Sequence, residues 1–216
     1  MTVGAVAGLM GAVCPAQASL IIGNSLSDRQ YATDYPPGSE PVNVLVVNAS
    51  VLPAGQLNAF LAYDMANSGS SPTPSAGNSF YGVILQPLGG GNYKVAYETA
   101  LETVPTVATS QTISYAASFN VQAGDLFGFF GSGVPVSTGT GTDTLYYPTQ
   151  LAAPTLNQTI TLGSGNFPVY PQARDYAFAV DITPVPEAST YIAGAILLLP
   201  FAVQGLRKLR GQKTLA

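Results

Sequence analysis

From Tyr191 to Leu206 the chain runs 16 residues without a charge, all apolar or small except Gln204, and then closes with Arg207, Lys208 and Arg210. At a helical rise of ~1.5 Å per residue this run covers roughly 24 Å. The span becomes adequate for the ~30 Å hydrocarbon core of a bilayer if the helix begins at Ala188 and Arg207 snorkels its stem. A helix on the flank of a globular core needs one apolar stripe, whereas this one is apolar all round. Four of the chain's seven Lys and Arg residues (Arg207, Lys208, Arg210, Lys213) fall in its last ten positions, where the positive-inside tendency holds them in the cytoplasm. The sequence therefore predicts a single C-terminal transmembrane helix over 190–206 and a basic end over 207–216. Arg207, Lys208 and Arg210 act as the membrane stop, and the body lies outside the membrane. Pro200 kinks such a helix without forbidding it.

The opposite end agrees with export. Met1 to Val13 is small, apolar and uncharged, and Ala16-Gln17-Ala18 has the small-x-small form of a signal-peptidase site. A signal peptide over 1–18 is predicted, with Ala16 and Ala18 as cleavage determinants and Ser19 as the mature start. That cut removes Cys14, the one cysteine. The mature chain then has no disulfide framework, thiol nucleophile or zinc–thiolate site. With no histidine anywhere, imidazole acid–base catalysis and His-ligated metals are excluded as well.

Between body and helix the chain reads Val185-Pro186-Glu187-Ala188-Ser189-Thr190. A Pro-Glu motif, an uncharged helix and an Arg-rich end, in that order, resemble the PEP-CTERM sorting tail of exported bacterial proteins. Ala188 stands where the second proline of that motif would be. The resemblance covers residues 185–216, with the motif at 185–190. It implies that an exosortase, a membrane-embedded cysteine protease, recognises Val185, Pro186 and Glu187. The precursor would be anchored in the inner membrane, and cutting would pass the body to the cell surface or an extracellular polysaccharide matrix. A proline-restrained segment stays accessible to a protease while the helix behind it holds the substrate in the bilayer.

The body, residues 19–184, holds three basic residues (Arg29, Lys94, Arg174) against an acidic majority, which makes nucleic acid a poor partner. Its polarity comes mainly from Ser, Thr, Asn, Gln and Gly. Period-two alternation marks half-buried strands: Ile113, Tyr115, Ala117, Phe119 and Val121 share one face, as do Tyr176, Phe178, Val180 and Ile182, and as do Tyr93, Val95 and Tyr97. Runs at 42–48, 57–63, 80–86 and 126–130 are apolar on both faces and predict interior strands, with a weaker strand at 158–162. Turn chemistry separates them at Leu52-Pro53-Ala54-Gly55, Gly89-Gly90-Gly91-Asn92 and Gln122-Ala123-Gly124-Asp125, where Gly124 supplies a positive φ. Ser68–Asn78 and the Thr-Gly stretch Ser137–Thr144 read as surface loops. The expected fold is an all-β, antiparallel β-sandwich of jelly-roll type.

Carboxylates are the remaining candidates for catalysis, Glu98, Glu102, Asp125, Asp143 and Asp175 among them, but no spacing singles out the pair a glycosidase needs. Gly141-Thr142-Asp143-Thr144 offers one carboxylate, short of the alternating set of a calcium loop. No enzyme activity, cofactor or metal is expected. For the body, sugar binding is the best positive reading, since exposed aromatics can stack on sugar rings; Tyr81, Tyr146 and Tyr147 sit at the edges of the expected loops. Against this stands ordinary core packing, because Tyr buries a large apolar ring with its hydroxyl at the rim. The expectation is a surface or matrix protein of structural or adhesive role; the alternative is a secreted carbohydrate-binding module or, behind it, a glycoside-acting enzyme using carboxylates.

Overall fold

The computed structural model describes residues 18–33, 44–70, 74–147 and 152–185, in which every regular element is a strand and every ladder is antiparallel. Eight strands pair as nested hairpins. β1 (Leu20–Gly23) pairs with β12 (Phe178–Pro184), and β2 (Val44–Val51) with β8 (Leu126–Gly131). β3 (Gly55–Asp64) pairs with β7 (Gln111–Val121), and β4 (Ser79–Gly89) with β5 (Asn92–Glu98). The chain is thus one long folded-back ribbon. Rolling the ribbon up joins β12 to β3 and β4 to β8, which yields a sheet of order β1-β12-β3-β7 and a larger one containing β5-β4-β8-β2. β9 (Val136–Tyr146) and β11 (Arg174–Tyr176) extend the larger sheet beyond β2. β10 (Thr159–Thr161) extends it beyond β5, and the two-residue β6 (Glu102–Thr103) pairs with β4.

The main core lies between the sheets. Leu57, Phe60, Tyr115, Phe178, Val180 and Ile182 from the smaller sheet pack against Val44, Val46, Phe80, Ile84, Phe127 and Phe129 from the larger one. The alternating face of β7 and the even-numbered face of 176–182 both point here, as their periodicity predicts. The strands that are apolar on both faces owe this to a second cluster on the outer side of the larger sheet. There Leu45, Val47, Val83, Leu85, Val95 and Phe130 are roofed by Ile160 and Phe167. A smaller patch of Ala59, Leu61 and Ala179, against which Leu26 packs, covers the outside of the other sheet. The turn at Gly124 has φ 100°, the left-handed value expected of it.

Three features differ from the sequence reading. Ser137–Thr144 is no loop but the body of β9, held on one side by β2 (Val47↔Thr144) and on the other by β11 (Ser137↔Asp175). Thr is a good strand former, and pairing at the two ends of the stretch, with Gly139 N donating to the Ala173 carbonyl at 3.0 Å, holds the intervening Gly139 and Gly141 at positive φ. The alternating run 175–182 is two strands: its backbone leaves the larger sheet at Ala177 and enters the smaller one as β12. Within β5 a register shift between Val95 and Tyr97 (Leu85↔Val95, Ile84↔Tyr97) sends Val95 to the outer cluster and Tyr97 to the core between the sheets.

The signal segment before Ala18, the motif beyond Val185, the helix over 190–206 and the basic end lie outside the described residues. Among the described residues no helix is long and apolar enough to cross a membrane.

Candidate functional site

Antiparallel nesting gives the body two unlike poles. At one lie the start of β1, the end of β12 and the tight turns around residues 52–55, 89–92 and 122–125. At the other lie the long connections that follow β1, β3, β5 and β8. These connections are laced together by backbone and side-chain bonds. Gly133 N donates to Thr33 Oγ1 at 2.9 Å, Gly77 N to the Val104 carbonyl at 2.9 Å, Ala66 N to Ser110 Oγ at 3.0 Å, and Ser70 N to the Gln30 carbonyl at 2.9 Å. Loops fixed in this way on a scaffold of antiparallel sheets are where binding residues are usually presented.

A pocket of about 370 Å³ opens at this pole, with Tyr81, Leu101 and Phe130 as its apolar surface and Asn78, Ser79 and Ser132 as polar groups. Tyr81 belongs to a row running across the outer face of the larger sheet: Tyr81 pairs with Phe130, Phe130 with Leu45, and Leu45 with Tyr146. Leu45 and Phe130 are buried, and the two tyrosines pack half-buried against them at the margins of the row. Three interstrand steps of ~4.8 Å separate the tyrosines by roughly 14 Å. Burial, and then the neighbouring Tyr93 phenol, raises the Tyr146 hydroxyl above its ordinary pKa. Tyr147 faces the other way. It packs on the core between the sheets and meets Tyr170 edge to face at 5.1 Å, with Arg174 Cζ 4.7 Å from the Tyr170 ring centre. Adjacent residues of an extended segment point to opposite faces, so Tyr146 and Tyr147 cannot form one platform.

The candidate carboxylates are scattered. Asp125 accepts from Gln122 N at 2.9 Å and closes the turn before β8. Asp175 pairs with Arg29 at 3.2 Å. Glu98 accepts from Leu156 N at 3.2 Å, and Glu102 lies in β6 opposite Phe80. Asp143, 5% exposed, is the hub of a buried network. It accepts from Asn24 Nδ2 at 2.6 Å, Asn48 Nδ2 at 2.8 Å and Tyr176 N at 2.8 Å. Burial raises its pKa to about 6, against the opposing pull of these donors. The network ties the segment after β1 to β2, β9 and β11 at the place where the chain changes sheets. Its donors and acceptors satisfy one another, which suits a structural joint.

Sequence reasoning missed Asp64, which ends β3 on the inward face at the mouth of the core and is 1% exposed. Both of its carboxylate oxygens lack a hydrogen-bond partner, as do the buried Ser75 Oγ and the Tyr115 hydroxyl. In the one-dimensional pattern Asp64 reads as the polar stop of an apolar strand, and Ser75 as one of many loop serines.

Comparison with known proteins finds no matching family model, no matching curated protein and no matching solved structure. The fold and the placement of these groups therefore carry the functional reading alone.

Proposed function

We propose that the chain is the precursor of an exported bacterial surface or extracellular-matrix protein. Its jelly-roll body, residues 19–184, is delivered by the signal peptide 1–18 and handed over by an exosortase acting at Val185, Pro186 and Glu187. The nested pairing of first strand with last, second with second-last and so inward supports the jelly-roll reading, an architecture common among capsid and lectin domains. The observation that most supports the delivery reading is the adjacency of the body's two ends. Leu20 pairs with Ile182, Ser19 Oγ donates to Asp181, and Val185 N donates to the Ala54 carbonyl at 2.9 Å. Both removable segments leave from one pole, so a chain held at the membrane by either end presents its loop-bearing pole outward. Mass spectrometry of the mature protein from its native cell is the test: the expected product begins at Ser19 and lacks the helix. An intact tail through Ala216 in cells that possess the protease overturns the proposal.

The alternative reading, carbohydrate binding, is favoured by the pocket at the outer pole, where an aromatic surface meets an amide and hydroxyls, the complement of a sugar's apolar face and polar edge. In either reading the role is adhesive or structural, within a polysaccharide matrix.

A further inference from the structure

Large apolar side chains stand exposed at the pole that carries both chain ends. Leu20 and Ile21 open β1, Val51 closes β2, Leu88 is next to last in β4, and Val185 follows β12; all five are between 46% and 62% exposed. Pairing fixes where they stand. Leu20 lies opposite Ile182, Val51 opposite Leu126, and Leu88 between the pairs Pro87↔Tyr93 and Gly89↔Asn92, while Val185 N donates to the Ala54 carbonyl at 2.9 Å. Gln86 Nε2 donates to Gln122 Oε1 at 3.0 Å, which sets the end of β4 beside the turn at 122–125. The turns at 52–55, 89–92 and 122–125 hold one charged residue, Asp125, and it is buried. The nearest other charges, Asp181 opposite Ile21 and Lys94 opposite Gln86, stand farther back along their strands. Single exposed apolar residues are ordinary on a protein surface; their gathering around uncharged turns at one pole is what marks an interaction surface. Among the described residues the other exposed large hydrophobics, Leu101, Leu156 and Val169, lie away from this pole, after β5, before β10 and before β11.

The partner follows from what leaves this pole. Val185 is separated by Pro186–Thr190 from the uncharged run that begins at Tyr191. Fully extended, the chain from Val185 to Tyr191 spans at most about 20 Å. A tail seated in a bilayer, the delivery reading on which this inference rests, therefore keeps the apolar pole within about 20 Å of the membrane. We propose that this pole docks on the bilayer itself, with Val51, Leu88 and Val185 entering the headgroup region and Leu20 and Ile21 at its margin. Exposed Leu and Val side chains shed water there, while Asp181 beside Ile21 stays on the wet side. The contact is apolar, without a basic cluster, so it needs no anionic lipid. Docking turns the loop-bearing pole away from the membrane and holds residues 186–190 at the interface, where a membrane-embedded protease meets them.

The test uses the full chain, made cysteine-free by Cys14→Ala and reconstituted in phosphatidylcholine vesicles, with one new cysteine at a time carrying a fluorescent label. Labels at Val51→Cys and Leu88→Cys should be quenched about twofold or more by lipid spin-labelled at its headgroup, and a label at Leu101→Cys, on the far pole, should not be. Concentrated salt should leave the quenching in place, since no charge pair makes the contact. Adding Val51→Glu to the Leu88-labelled chain should roughly halve its quenching, because a carboxylate resists leaving water. Both positions are exposed, so the fold tolerates these changes. Vesicle flotation, measured alongside, separates docking from anchoring. A chain that floats while its Val51 and Leu88 labels are quenched no more than the Leu101 label overturns docking and leaves delivery standing. So does quenching that Val51→Glu leaves unchanged, which tethering alone explains. A chain that does not float overturns the membrane role of the tail and docking with it.

Discussion

Asn48 Nδ2 donates to Asp143 Oδ1 at 2.8 Å, next to the point where β2 and β9 pair through Val47 and Thr144. Because Asn24 and Tyr176 N donate to the other carboxylate oxygen, one buried side chain joins four segments of the chain. Replacing Asp143 by Ala removes one acceptor from each of three donors, leaving Asn24 Nδ2 with the Tyr176 carbonyl and Asn48 Nδ2 with Asn24 Oδ1, and each buried donor hydrogen that loses its acceptor costs about 1 to 3 kcal/mol. Urea unfolding of Asp143→Ala at pH 7 should show a loss of several kcal/mol.

The same residue makes stability depend on pH in an unusual direction. Its folded pKa of about 6 lies above the unfolded value of 3.8, so between those limits the folded state holds a proton that the unfolded state has released. Stability should therefore rise as pH falls from about 6 to about 4, by up to about 3 kcal/mol from this group, and level off below. Asp64, Glu98, Glu102 and Asp125 are raised too, each mainly by burial, and act in the same sense. Unfolding free energies measured every half unit from pH 4 to 8 check this. In Asp143→Asn most of the slope should vanish, and a slope of unchanged size would contradict the assignment.

Phe178, the first residue of β12 after the change of sheet, is the hub of the aromatic core. Its ring centre lies 5.8 Å from Phe60, 5.9 Å from Phe80, 6.2 Å from Phe127 and 5.1 Å from Phe129. Phe178→Ala should cost about 3 to 5 kcal/mol, through lost burial and the cavity left between the sheets. Phe178→Leu should cost clearly less. Equal losses would mean that the void is not what matters.

Opposite Phe60, the larger sheet carries Gly82, where an added Cβ would lie 2.8 Å from the Phe60 ring. Gly82→Ala should therefore destabilise by about 1 to 3 kcal/mol through overpacking. The cause is confirmed if Phe60→Leu relieves the clash, making the double variant less damaged than the two single losses added together.

The strands that the sequence revealed were those whose burial leaves a regular trace. β7 faces core on one side and water on the other, so Thr112 to Val121 alternates. β2, β4 and β8 are covered on both sides, so Val44–Val47, Val83–Leu85 and Phe127–Phe130 are continuously apolar. β9 was hidden because its strand character comes from neighbours on either side, while its own Ser, Thr and Gly residues match a loop equally well. The change of sheet at Ala177 leaves no periodic signature, since Tyr176 and Phe178 point into the same core before and after it. Asp64 and Ser75 were invisible for a different reason: a polar residue in a sequence is taken for a surface residue, and only the closure of the outer pole buries these two.

The pocket at the outer pole makes a prediction that separates binding from packing. Tyr81 lines it, and Tyr146 ends the same row of the sheet, whereas Tyr147 packs on the core and against Tyr170. If the body engages polysaccharide, Tyr81→Ala should weaken retention on an immobilised glycan by tenfold or more when measured below the variant's melting temperature, because this half-buried side chain lines the pocket as well as packing on the outer cluster. Tyr146→Ala should weaken long chains more than short ones, since only an extended ligand reaches across the roughly 14 Å between the two rings. Tyr147→Ala should do the reverse, lowering the melting temperature while leaving retention of the folded protein intact. Glycan-array binding paired with thermal melts for the three variants decides it. Loss of binding in Tyr147→Ala at full stability would move the contact surface off the outer face of the larger sheet.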